Sequence, residues 1–276
     1  MMPAQMIPKR PVLRWHGGKW TLAPWIIGYF PPHRTYTEAF GGAGSVLLRK
    51  PRCYAEVYND LDGEVVNLFR VLQGNNSAEL VRLLLLTPFS RSEFELSSEP
   101  SVDPVERARR LVIRSFMGFG SNAHNPKIVT GFRANSNRSG TTPAHDWSNY
   151  PDSLRTTIER LRGVVIENRQ AVEVLHQHDG PDTLHYVDPP YPMESRTDGH
   201  GDYSHEMSQS DHEELATRLK TLRGMVVVSG YHCPLNDFLY RGWHCVEKNA
   251  LADGARKRVE VLWLNPASSS KQGNLW

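Results

Sequence analysis

The chain reads as an α/β protein on three observations. The β-prone stretch Thr35-Tyr36-Thr37-Glu38-Ala39-Phe40 runs into Gly41-Gly42-Ala43-Gly44, and Ser45-Val46-Leu47-Leu48 then begins a helix. The apolar run Thr183-Leu184-His185-Tyr186-Val187 reads as a buried strand and ends in Asp188-Pro189-Pro190-Tyr191. From Asp152 onward, helical and strand signals alternate.

Taken in order, Trp15-His16-Gly17-Gly18-Lys19 precedes the first helix. Two glycines before a lysine can hold an ammonium group near a carboxylate, and an ordinary loop is the alternative. The strand, glycine turn and helix that follow let a ligand approach bare backbone and a helix N-terminus. The pattern is FxGxG. It is not the dinucleotide GxGxxG, and it lacks the Lys-Ser/Thr ending of a phosphate loop. A second strand from Cys53 to Tyr58 ends in Asn59-Asp60. Asp60 lies about twenty positions past the turn, the spacing of a ribose-hydroxyl acceptor. The same residue can cap a helix beginning near Leu61, whose apolar face is Val65, Val66, Leu68, Phe69 and Leu72.

The middle of the chain holds one strong element, a helix from Pro104 to Met117. Asp103 caps it, Pro104 sits in its first turn, and Glu106 completes a capping box. Val105, Ala108, Leu111 and Val112 form its apolar stripe, while Arg107, Arg110 and Arg114 share another face. That face is either a contact for a polyanion such as a nucleic acid or a solvated surface. Gly118 to Asn149 is rich in Gly, Asn, Ser and Thr, and carries Lys127, Arg133 and Arg138 against the single acidic Asp146. Asn and Arg suit base edges and Lys suits phosphates, which makes Asn122, Lys127, Arg133 and Arg138 candidate nucleic-acid-binding residues. Next come a helix from Asp152 to Leu161, a strand at Val164-Val165-Ile166 and a short helix from Ala171 to His176. After the Asp188 corner, Ser210 and Glu213 form a capping box for a helix reaching Leu222.

The corner itself carries the chemistry. Two prolines fix φ and remove backbone donors, leaving carbonyl acceptors. Asp188 and the Pro189 carbonyl can accept from one amino group, and Tyr191 offers a face to a flat ring. That suits an exocyclic amine on a planar heterocycle; a plain strand-to-loop turn is the competing reading.

Composition sets the frame. Of 276 residues, 39% are hydrophobic and 22% charged, enough for a core of ordinary surface charge. A formal net charge of +2 confines any nucleic-acid surface to a local patch. Cys53, Cys233 and Cys245 have no CxxC spacing, suit a reducing compartment and are expected to be buried small hydrophobes. No apolar run reaches membrane length, so an intracellular, cytoplasmic protein is expected. His176 with His178, or His200 with His205, pair on paper without a third ligand at recognisable spacing, so no metal is expected.

In order and spacing, these stretches resemble the DNA N6-adenine methyltransferases of the class that includes the GATC-methylating enzymes (the D12 or alpha type). That family carries W-x-x-G-K or a close variant, E-P-F-x-G-x-G-S, a strand ending in Asp, a target-recognition insert, then D-P-P-Y. The matches are Trp15 to Lys19, Glu38 to Ser45, Asn59-Asp60 and Asp188 to Tyr191. Asp202-Tyr203-Ser204, Asp211 to Leu215, Val227 to Tyr231 and Arg258 to Asn265 resemble later family elements. Ala39 stands where the family usually has proline.

The resemblance implies a Rossmann-like, mixed seven-stranded methyltransferase sheet with a smaller, mainly helical DNA target-recognition insert. Residues 1–73 with 151–276 would form the catalytic domain, and 74–150 the insert, whose start can lie as early as 62. It implies S-adenosylmethionine as donor and S-adenosylhomocysteine as product. The donor would be held by Trp15, Gly18, Lys19, Glu38, Phe40, Gly42, Gly44, Asp60 and Asp188. Asp188, Pro189, Pro190 and Tyr191 would be catalytic. The substrate would be an adenine flipped out of double-stranded DNA, and the enzyme a monomer, with dimerisation on DNA as the alternative. N4-cytosine methylation is the neighbouring chemistry, because such pockets serve both exocyclic amines. A non-catalytic DNA-binding protein that kept the fold is the other class. Cytosine C5 chemistry is excluded, because none of the three cysteines follows a proline.

Overall fold

The computed structural model describes residues 7–124, 130–135, 140–196, 204–251 and 257–272. The chain folds as two compact units, each assembled from separate stretches.

One unit, residues 21–41, 52–61 and 163–276, contains a seven-stranded sheet. Its strands are β1 Thr35–Glu38, β2 Ala55–Asn59, β3 Val164–Glu167, β4 Thr183–Val187, β5 Met225–Gly230, β6 His244–Leu251 and β7 Lys257–Leu264. Their order across the sheet is β3-β2-β1-β4-β5-β7-β6. The first five run parallel; β7 is antiparallel to both β5 and β6. β4 is buried along its whole length, as a strand in a parallel sheet covered on both faces must be. Val187, Val226, Val228, Leu215, Leu219, Leu239, Val261 and Trp263 share one apolar cluster. The chain winds outward from β1 through β2 to β3 on one side and from β4 to β5 on the other. The switch point therefore lies between β1 and β4, where open α/β sheets bind ligands.

The other unit, residues 1–20, 42–51 and 62–162, is helical. Its longer helices are Gly63–Gln73, Ser77–Leu86, Pro104–Met117 and Tyr150–Leu161. Val65, Val66, Leu68, Phe69 and Leu72 are all buried, as their periodicity required. The cap of Gly63–Gln73 is Asp62, whose side chain accepts from the Glu64 amide, and not Asp60. Asp103 caps Pro104–Met117 by accepting from Val105 and Glu106 amides. Glu106 is engaged with Arg109 and Arg110 in place of the expected reciprocal cap bond. In the sheet unit, the capping box of the Gln209–Leu219 helix is formed by Ser208 and Asp211, two residues ahead of the expected Ser210 and Glu213.

Candidate active site

At the carboxyl end of β4 stands the proline corner. Glu38 of β1 pairs in register with Tyr186 of β4, so the residues just past both strands emerge side by side. Asp188 and Pro190 are half-buried, Pro189 and Tyr191 buried. Tyr191 Oη donates to Glu260 Oε1 on β7 at 2.7 Å, and its ring meets Tyr231 edge-on with centroids 4.7 Å apart. Arg196 donates from Nε and Nη2 to the Tyr191 carbonyl at 2.9 and 2.6 Å, and pairs with Glu206 at 2.6 Å. The chain after the corner is thereby clasped to the segment leading into the Gln209–Leu219 helix. His212 on that helix is buried, which lowers its pKa; a hydrogen bond with the Pro190 backbone works the other way. Burial first, and the negative charge of Asp188 second, hold the Tyr186 and Tyr191 phenols well above their usual range.

Beside the corner, the turn after β1 is built around absent side chains. A Cβ on Gly41 would fall 2.2 Å from the Tyr58 ring. The Gly41 amide donates to the Asn59 carbonyl at 2.8 Å. Asn59, buried at the end of β2, donates from Nδ2 to the carbonyls of Ala39 and Arg169 at 2.9 and 3.0 Å, and its Oδ1 accepts from the Arg169 amide. One side-chain amide thus joins the turns that follow β1 and β3. Glu38 is buried and accepts from Tyr36 Oη at 2.6 Å. Asp60 is half-buried at the next turn, its carbonyl accepting from Asn168. Phe40 is half-buried beside the sheet's apolar cluster.

Trp15, Gly18, Lys19, Gly42 and Gly44 belong to the helical unit. Lys19 is buried, with Nζ donating to the Gly17 carbonyl at 2.9 Å. Gly42 (φ 47°) and Gly44 (φ 61°) adopt left-handed backbone that favours glycine. A Cβ on Gly42 would meet Trp15 Nε1 at 2.7 Å, so the bare turn is fitted against the Trp15 indole.

The arginines of Pro104–Met117 divide. Arg107 pairs with Glu64 at 2.6 Å, and Arg110 with Glu106 at 2.6 Å and the Glu99 carbonyl. Arg114 is buried, its guanidinium donates to the Ser97 carbonyl, and burial lowers its pKa. The expectation that all three share one outward face is therefore corrected: Arg114 turns inward. The Arg133 amide donates to the Met117 carbonyl at 2.7 Å, next to a bridge between Gly118 and Phe132. Asn122 lies in a short 3-10 turn, Ser121–His124. Lys127 and Arg138 lie outside the described residues. Cys233 is buried as expected, but Cys53 is half-buried and Cys245 exposed, which corrects the reading of all three as core residues.

Such a fold, with an acidic Pro-Pro-Tyr corner at its switch point and a glycine turn on the neighbouring strand, is consistent with the Rossmann-like methyltransferases. The family of D12 class N6 adenine-specific DNA methyltransferases matches residues 15–253. The chain belongs to that family, and adenine N6 thereby takes precedence over cytosine N4 as the target. It is 25% identical to the type II methyltransferase M1.LlaDCHI of Lactococcus lactis subsp. cremoris, covering 100% of this chain and 96% of that protein. It is 24% identical to the DNA adenine methylase of Haemophilus influenzae, over 91% of each chain.

Sequence reasoning missed Asn59 as a brace, Glu260 as the Tyr191 partner and the Arg196–Glu206 clasp. Asn59 had a signal, a polar residue ending a buried strand. Glu260 had only its place inside the apolar run Val259 to Leu264.

Proposed function

We propose that this chain transfers a methyl group from S-adenosylmethionine to N6 of an adenine flipped out of double-stranded DNA, using the Asp188–Tyr191 corner to hold the amine. The reading is carried by the position of that corner: it follows β4 at the β1/β4 switch, with Glu38 in register beside Tyr186.

Asp188 accepts one N–H of the amine and the Pro189 carbonyl accepts the other. The amine's lone pair is otherwise delocalised into the ring; two acceptors draw the nitrogen toward sp³ and turn the pair out of the plane. The corner works by alignment and electrostatics, with no covalent enzyme intermediate. After transfer the nitrogen is acidic and releases a proton to water. Tyr191 stacks on the base. S-adenosylmethionine supplies an electrophilic methyl group when bound, and leaves as S-adenosylhomocysteine. The residues of the sheet unit fit such a donor: bare backbone at Gly41, a buried carboxylate at Glu38, and Asp60 for ribose hydroxyls, with Gly42 added by family resemblance. Trp15, Gly18, Lys19, Phe40 and Gly44 complete the donor set by family resemblance.

We assign DNA reading to the insert at 74–150, with Asn122, Lys127, Arg133 and Arg138 as contacts and Arg107 and Arg110 on its surface. Residues 1–73 with 151–276 form the catalytic part, and the enzyme acts inside the cell as a monomer. Labelled-methyl transfer to adenine-containing and adenine-free duplexes tests the reading. Asp188→Ala is expected to lose about 10²–10³-fold in rate, the cost of removing one preorganised polar partner. Full transfer by that variant would end the mechanism, and equal transfer to the adenine-free duplex would end the assignment of adenine.

A further inference from the structure

The outer edge of the sheet carries a cluster of different chemistry. β6 is the edge strand, and Cys245 and Glu247, two residues apart, stand on the same face of it. His232, just past β5, faces them. One ligand atom from each of His232, Cys245 and Glu247 lies within 4.8 Å of the other two. His232 Nε2 is 3.1 Å from Glu247 Oε1, and His232 Nδ1 is 2.6 Å from Asp237 Oδ1. The Trp263 ring packs edge-on against the imidazole, with centroids 5.9 Å apart.

Two carboxylates hydrogen-bonding a histidine account for Asp237 and Glu247, but give Cys245 no part. A metal site gives all four residues a role. A ligating histidine commonly donates its second ring N–H to a carboxylate, which fixes the tautomer and turns the other nitrogen toward the metal. Asp237 at Nδ1 is placed to do that, which leaves Nε2, the nitrogen beside Glu247, as the one a metal takes once it is deprotonated. One nitrogen, one sulfur and one carboxylate oxygen form a mixed, moderately soft set. It suits zinc and disfavours magnesium or calcium, which take oxygen ligands. Zinc–ligand bonds of about 2.0–2.3 Å put tetrahedral ligand atoms roughly 3.3–3.8 Å apart. The side chains are exposed, so closing that small gap requires only rotamer adjustment.

We propose that His232 Nε2, Cys245 Sγ and Glu247 bind one zinc-class divalent cation, with Asp237 orienting the histidine. Three protein ligands leave the fourth position to water. Binding releases two protons to solvent, one from the Cys245 thiol and one from His232 Nε2, and replaces the His232–Glu247 hydrogen bond with metal bonds; nothing is oxidised or reduced. The expectation of no metal came from histidine pairs close in sequence, whereas His232 and Glu247 are 15 residues apart. The site borders the corner: Tyr231, the neighbour of His232, is the ring that meets Tyr191.

The test uses the untagged full chain, stripped with a chelator and titrated with Co²⁺ and then Zn²⁺. One equivalent of Co²⁺ should produce a thiolate-to-cobalt charge-transfer band that Zn²⁺ removes. Cys245→Ser should abolish the band, His232→Gln should weaken binding at least tenfold, and Asp237→Asn should weaken it about 10–100-fold. Cys53→Ser should change nothing, and circular dichroism checks that each variant is folded. The absence of a saturable band, or a band that survives both Cys245→Ser and His232→Gln, would overturn the site.

Discussion

Tyr191 performs two tasks that a single substitution can separate. Its ring is the proposed stacking surface for the base, and its hydroxyl is tied to the buried carboxylate of Glu260. Tyr191→Phe keeps the ring and removes one donor from that carboxylate, so it should cost about 1–3 kcal/mol of stability with little change in KM for DNA. Tyr191→Ala removes the ring as well. Stacking is worth roughly 1–3 kcal/mol per base, so KM for DNA should rise about ten- to a hundredfold. Steady-state kinetics and denaturant midpoints on both variants check this; equal KM values would remove the base from the ring. Gly41 makes a second case, because any Cβ there would strike the Tyr58 ring. Gly41→Ala should destabilise by about 1–3 kcal/mol, the usual range for overpacking, read from its urea midpoint. At this scale the sequence revealed residues whose chemistry is local. Asp188 to Tyr191 could be singled out because the proposed chemistry sits on four adjacent residues at one strand end. Glu260 could not, because its partner is 69 positions away. Asp60 and Asp62 were exchanged as caps because two nearby carboxylates are equivalent until the backbone chooses one.

The Pro104–Met117 helix shows what periodicity can and cannot decide. Its ends were legible because Asp103, Pro104 and Gly118 are start and stop signals written in the chain. Its arginine face was misjudged at one end. A spacing of i, i+3, i+7 puts Arg107, Arg110 and Arg114 on one strip, but Arg114 lies beside the buried stripe, and its long stem carries the guanidinium inward to Ser97. The two kinds of arginine should respond differently to substitution. Arg110→Glu should lower DNA affinity and reduce the slope of log K against log salt by about one phosphate's worth. Arg114→Ala should leave that slope alone and lower stability, since the Ser97 carbonyl loses its partner in a buried setting. Binding titrations at several salt concentrations, paired with urea melts, distinguish these outcomes. An unchanged slope for Arg110→Glu would return that face to ordinary solvated surface.

For the whole molecule, the class of fold was legible and the strand order was not. Alternating helical and strand signals are local, whereas β1 lying between β2 and β4 depends on pairings made only after collapse. β6 escaped notice because an exposed edge strand carrying Glu247 and Lys248 lacks the apolar run that marked β4 and β5. The β1/β4 junction, on which the whole site depends, contains a buried titratable group. His185 Nδ1 lies 2.8 Å from Thr37 Oγ1 across the two strands, and Nε2 lies 3.4 Å from Asp179 Oδ1. Burial pushes the His185 pKa down to about 4, outweighing the opposing pull of Asp179; the charges of His178 and His176 lower it further. For Asp179, burial works against ionisation, yet the Arg223 and Gly224 amides and His185 hold its pKa below normal, so its contribution is lost only at more acid pH. Between the unfolded value near 6.5 and about 4, the unfolded chain binds a proton that the native sheet refuses. Stability is therefore complete above about 6.5 and falls as pH drops through that window. The loss is on the order of 3 kcal/mol, at 1.36 kcal/mol per unit of displacement. His178 and His212, both lowered by burial, act in the same sense. Urea unfolding from pH 7.5 to 4 should show this decline, and His185→Gln should flatten most of it while lowering stability at neutral pH. If the variant declined as steeply as the natural chain, the junction would not be the group that senses acid.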